Sequence, residues 1–160
     1  MSGIDIGAIL TVLGIVGAGL MAGVYYTFST FTMAGLRRLP ASEGAAAMQA
    51  VNLEAPRPPL MSVFFGTALV GVGLYVLAIS DFEGFSSLLS ISGASLYISS
   101  IVITGVFNVP LNDRLEAANP GSPQGISVWT DYQRRWTRFN HLRVAVSTAS
   151  VLLLSASLVV

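Results

Sequence analysis

The chain has no cysteine, no lysine and a single histidine. Without cysteine there is no disulfide, no thiolate nucleophile and no cysteine-bound metal, and cysteine usage carries no information on redox compartment. One histidine alone also falls short of the nitrogen and sulfur ligand sets that hold transition metals. Charge is scarce: eight arginines face eight acidic residues, and 10% of the 160 residues are charged, against about 25% in a soluble domain. Charges so few and so confined carry no signature of a nucleic-acid partner. Apolar surface takes their place, with 53% hydrophobic residues and a mean hydropathy of +0.72. That composition defines an integral membrane protein whose first partner is the lipid bilayer.

No charge interrupts the sequence between Asp5 and Arg37, a run longer than the ~20 residues that cross the hydrocarbon. It lacks the basic leading region of a secretory signal and is too long for one, so it is read as a retained span. Gly19 and Gly23, with Gly14, Gly17 and Ala18 nearby, predict a face on which another helix packs closely. The far end, residues 25–33, alternates aromatics and hydroxyls around the helix. An aromatic belt accounts for part of this; the surplus of hydroxyls suits a polar cavity.

Pro40 breaks the chain, Ser42 is a candidate cap, and Pro56, Pro58 and Pro59 end a short helix over residues 41–54. A second apolar run covers residues 60–80, and a polar turn at residues 81–84 leads into a third. Its serines, Ser90, Ser92, Ser95, Ser99 and Ser100, with Thr104, read as helix contacts. Pro110 predicts that this helix ends near Asn108, leaving residues 114–128 as a polar loop. The expected fold is all-α, a single-domain bundle of four transmembrane helices. It has a short cytoplasmic helix between spans 1 and 2 and a long loop before span 4. The spans fall at about residues 6–36, 60–80, 85–108 and 127–160, the last including an extension beyond the membrane. All eight arginines lie in or beside the first and third connections, so both termini are expected outside and both long loops in the cytoplasm.

Residues 129–143 hold both tryptophans, the histidine and five charged side chains. At helical spacing Trp129, Tyr132, Trp136, Asn140 and Arg143 share one face. The bland account is an interfacial anchor. Under the topology above, however, this stretch meets Tyr25 and Ser29, Gln49 and Asn52, and Asn108 and Asn112 at one membrane depth. Ionisable groups at such depth are costly and point to function, although an arginine also snorkels to the interface. His141 is the candidate base, able to take a proton from a phenol or benzylic carbon while Asn140 and Arg143 hold the oxyanion. The competing account has His141 and Asn140 only bridging helices. No metal site is expected; a metal joined by Asp113, Glu54 or Glu116, or a haem, held through His141 remains open.

In combination, four motifs resemble the anthrone oxygenase family of small four-helix membrane proteins over essentially the whole chain. These are Tyr25-Tyr26-Thr27-Phe28-Ser29-Thr30-Phe31, Met48-Gln49-Ala50-Val51-Asn52, Asn108-Val109-Pro110-Leu111-Asn112-Asp113, and Trp129 with Trp136-Thr137-Arg138-Phe139-Asn140-His141-Leu142-Arg143. The resemblance implies a monooxygenase-like oxidation of a lipophilic phenolic or polycyclic aromatic, with dioxygen as co-substrate and no organic cofactor. It implicates Gln49, Asn52, Asn108, Asn112, Trp136, Asn140 and Arg143; His141 follows from its chemistry. The sequence also suits a non-catalytic module that binds a lipid or quinone-like molecule or serves in a membrane complex. A transporter would need an oligomer, and a homo-oligomer stays open.

Overall fold

Asp5 opens the first helix, its carboxylate accepting a 3.0 Å hydrogen bond from the Ala8 amide, as an N-cap does. In the computed structural model, which describes residues 5–160, that helix is α1, Ile6–Leu36, followed by α2, Ala41–Glu54, α3, Pro58–Ser80, α4, Phe85–Glu116, and α5, Pro123–Ser157. The short helix α2 starts behind Pro40, with no side-chain cap from Ser42. Gly84 takes a φ of 66° in the turn between α3 and α4, a conformation open to glycine. Ser122 caps α5 through the Gly125 amide at 3.0 Å, with Pro123 in the first turn, where its missing N–H costs nothing.

Helices α1, α3, α4 and α5 are long and apolar enough to span a membrane, and the protein is an integral membrane protein of the all-α class. Helix α5 packs against α1 and α4, and α3 packs against the same two, while α1 and α4 barely touch. Sequential spans are therefore neighbours around a four-helix ring, the arrangement short connections favour. Leu13, Leu20, Leu69, Val76 and Ile79 point outward, while Ser100, Ser147 and Ser150 are fully buried. Lipid is as apolar as leucine, so small and hydroxylated residues rather than large apolar ones draw the helices together. Ser150 spans from α5 to the Gly93 carbonyl of α4 at 2.7 Å.

Two expectations change. The close approach of α1 to α3 runs through Gly17, where a Cβ would collide with the Thr67 side chain, whereas one at Gly19 would meet only Val151 at 4.0 Å and one at Gly23 nothing. Gly19 and Gly23 sit on the wrong sector of the helix for that contact. Gly17→Ala is expected to cost roughly 1–3 kcal/mol through overpacking. Thermal unfolding in detergent should show a lowered midpoint for Gly17→Ala and an unchanged one for Gly19→Ala; equal midpoints would remove the contact's importance.

The second change is at Pro110. Helix α4 does not end at Asn108 but runs on to Glu116, because residues 104–108 form a π turn in which the Val109 amide bonds the Thr104 carbonyl. The widened turn shifts the pairing by one residue just ahead of a proline that has no N–H to give. Residue Val109 stays helical, with φ −60° and ψ −50°, despite preceding proline. The connection to α5 is consequently residues 117–122, and α5 begins at Pro123 rather than near residue 127. A matching π turn interrupts α1 at Phe28–Thr32.

Candidate functional site

Counting ~20 residues for the hydrocarbon from the opposite ends of the spans, at Ile6, Phe85 and Ser157, reaches the neighbourhoods of Tyr25, Thr104 and Thr137. Both π turns begin at this boundary, and α5 passes between them. Beyond it, α5 and the ends of α1 and α4 project with α2 around a second core of Met33, Met48, Leu115, Trp129, Tyr132 and Trp136. Trp129, Tyr132 and Trp136 stack in a ladder with centroids 5.7 and 5.8 Å apart.

This second core explains three of the expected site residues as connectors. The Asn112 side-chain oxygen accepts from the Tyr132 hydroxyl and the Trp136 indole, each at 2.9 Å. The Gln49 amide donates to the Leu115 and Ala118 carbonyls at 2.8 and 2.9 Å, satisfying the open C-terminal end of α4. Trp129 packs over Gly44 of α2. All three hold the extramembrane part together.

At the boundary the chemistry differs. Asn140 is 0% exposed. Its amide donates to the Tyr25 carbonyl and the Ser29 hydroxyl, both at 2.7 Å, and its oxygen accepts from Arg143 Nη2 at 2.7 Å. The Tyr25 carbonyl, three residues before the α1 π turn, also accepts the Phe28 amide, while Ser29 lies within the turn itself. Arg143 is 6% exposed; its Nη1 donates to Thr104 Oγ1 at 3.2 Å, at the start of the α4 π turn. The guanidinium carbon lies 4.3 Å from the Tyr25 ring centroid and 5.0 Å from that of Trp136. Each π turn thus offers one hydroxyl to α5, Ser29 to Asn140 and Thr104 to Arg143.

No carboxylate pairs with Arg143 among the described residues; every salt bridge there belongs to Arg57, Arg114, Arg134 or Arg135. A buried cation held only by neutral donors, acceptors and ring faces is costly to keep. Buried polar atoms without partners lie about the cluster, Tyr25 Oη, Asn108 Oδ1, Ser147 Oγ and the arginine's own Nε, while Asn52 Nδ2 of α2 is likewise unpartnered. Asn108 gives its amide to the Trp136 carbonyl at 3.3 Å. Orphaned groups at this density are exceptional in a folded core. Phe107 and Phe139, stacked at 4.2 Å, pair α4 with α5 next to Asn108 and Asn140.

Tyr25, Ser29, Asn108, Trp136, Asn140 and Arg143 therefore come together. Thr104, assigned above to packing alone, joins them; its position one helical turn before Asn108 was the available signal. His141 does not join. One residue past Asn140, it is turned about 100° around the helix and is exposed on the outer groove of Arg37, Thr137 and Arg138. The inward orientation expected for it is corrected, and no imidazole reaches Arg143.

A four-span helical bundle in which Asn140 and Arg143 of α5 each bond a hydroxyl of one π turn, with no carboxylate beside the guanidinium among the described residues, defines the class: a small integral membrane protein with a buried polar cluster. The sequence matches the anthrone oxygenase family over residues 60–153, and the chain belongs to that family. The match takes in Asn108, Asn112, Trp136, Asn140 and Arg143, while Tyr25, Ser29, Gln49 and Asn52 precede it. Neither a curated protein nor a solved structure matches the chain.

Proposed function

We propose that the protein is a membrane oxidoreductase that oxidises a lipophilic phenolic or polycyclic aromatic with dioxygen at the Arg143 cluster. The observation that carries this reading is the buried guanidinium, without a counter-ion among the described residues, set against aromatic faces and unpaired hydrogen-bonding atoms. Such a group favours the anionic form of a substrate, a phenolate or enolate, over its neutral parent. The substrate arrives through the bilayer and parts the Phe107 and Phe139 stack. Its acidic C–H or O–H gives its proton to water at the boundary, since His141 faces away. Arg143 and the Tyr25 hydroxyl then hold the oxyanion while dioxygen takes its electrons. A ring CH2 becomes C=O, one oxygen atom enters the product, and the other leaves as water with the two hydrogens. The arginine-rich end faces the cytoplasm in this reading, from the positive-inside bias.

Purified protein in nanodiscs, given an anthrone in air, should form the quinone faster than empty nanodiscs; equal rates end this reading. In the same assay His141→Ala should leave the rate unchanged, because its side chain lies outside the cluster. A rate collapse in that variant would return the base to His141 and overturn the proton path above.

Binding without turnover is the second reading, favoured by one observation: every polar atom of the Asn140 side chain is already engaged within the protein. In that case quinones or phenolates quench the tryptophan fluorescence at Trp136 saturably while oxygen uptake stays at background.

A further inference from the structure

On the outside of the bundle, Arg37 at the end of α1 faces Arg134, Arg138 and His141 of α5 across a groove of about 350 Å³, floored by Thr130, Gln133 and Thr137. The arginines and His141 are exposed. Arg37 and Arg138 make no salt bridge among the described residues, and the only acid paired nearby is Asp131, 3.5 Å from Arg134. Thr137 is 8% exposed, and its hydroxyl has no hydrogen-bond partner. The groove thus combines two unpaired guanidinium groups with a buried hydroxyl ready to donate, a donor set that suits a phosphate oxygen. Neither Asn140 nor Arg143 lines it; both are buried inside the bundle.

Its depth says which phosphate. Thr137 lies about 20 residues from Ser157, where the hydrocarbon gives way to headgroups. Below His141 the same face of α5 continues through Ala145, Thr148 and Leu152, all exposed, a track along which an acyl chain can lie. We infer that this groove binds the headgroup phosphate of an anionic phospholipid, with Arg37 and Arg138 as its charged clamps and Thr137 as its buried donor. Basic pockets between helix ends hold lipid headgroups by the same electrostatics.

Native mass spectrometry of the full chain, purified with equal phosphatidylglycerol and phosphatidylcholine, reads this directly. The wild type should retain phosphatidylglycerol in preference to phosphatidylcholine. Each basic side chain near an anionic headgroup contributes about fivefold, so Arg37→Gln/Arg138→Gln should weaken retention roughly thirtyfold. The charge-matched Arg57→Gln/Arg114→Gln, outside the groove, should keep it. Thr137→Val, which changes no charge, should also weaken retention, separating a built site from general attraction. Arg37 and Arg138 are exposed, so loss of folding is an unsuitable explanation for their variants, and an unchanged unfolding midpoint is required of each variant, the buried Thr137→Val above all. Equal retention of the two lipids, equal losses in both double variants, or release of phosphatidylglycerol by excess inorganic phosphate would overturn the inference.

Discussion

Arg143→Met should lower quinone formation by roughly 10²- to 10³-fold, the loss that follows removal of one preorganised donor to a developing oxyanion. The same variant should unfold at nearly the wild-type temperature. Removing a costly unpaired buried charge offsets the loss of its hydrogen bonds to Asn140 Oδ1 and Thr104 Oγ1. The two measurements together distinguish a functional cation from a structural one: an arginine serving only to clamp α5 to α1 and α4 would show the reverse, a lowered midpoint and an unchanged turnover. Arg143→Lys adds a third reading. It keeps the charge but loses the planar donors and the stacking on Tyr25 and Trp136, so it should restore only part of the rate. Turnover by Arg143→Met within twice the experimental scatter of wild type would remove the cluster from the chemistry.

Asn140→Leu should produce the largest loss of stability of any single change at the boundary. Leucine keeps the branched shape of asparagine with bulkier methyl ends, so no cavity opens and the effect joins lost hydrogen bonds to overpacking. Three are lost: those to the Tyr25 carbonyl, the Ser29 hydroxyl and Arg143. At about 0.6 kcal/mol for each side-chain bond in a membrane bundle, the sum is about 2 kcal/mol. The loss should also be local. The π turn at Phe28–Thr32 loses the donor to its Ser29 hydroxyl, and amide hydrogen exchange of those residues should accelerate more than that of residues 10–20. Uniform exchange with an unchanged midpoint would mean that α1 holds its π turn without α5.

The spans, the short helix α2 and the all-helical class were legible because they depend on local quantities: charge-free runs longer than the bilayer is thick, and prolines at their ends. The meeting of Tyr25, Ser29, Asn108, Trp136, Asn140 and Arg143 was legible in outline, since four antiparallel spans must bring alternate helix ends to one side. What was misjudged depended on rotation about a helix axis or on register. His141 and Asn140 are adjacent in sequence and share a depth, yet one residue of rotation puts one in the core and the other on the outer groove. Gly17 and Gly19 differ in the same way.

By itself the sequence determined that this is a four-span membrane protein with its arginines gathered at one end, and its motifs pointed to the anthrone oxygenase family. Only the tertiary structure decided that Gln49 and Asn112 bond across helices, that Arg143 has no counter-ion among the described residues, and that both helices facing α5 widen into π turns at its level. Hydropathy and breaker residues act within one helix. The pairing of Asn140 with the Tyr25 carbonyl exists only once separate helices are packed together, because donor and acceptor come from different helices.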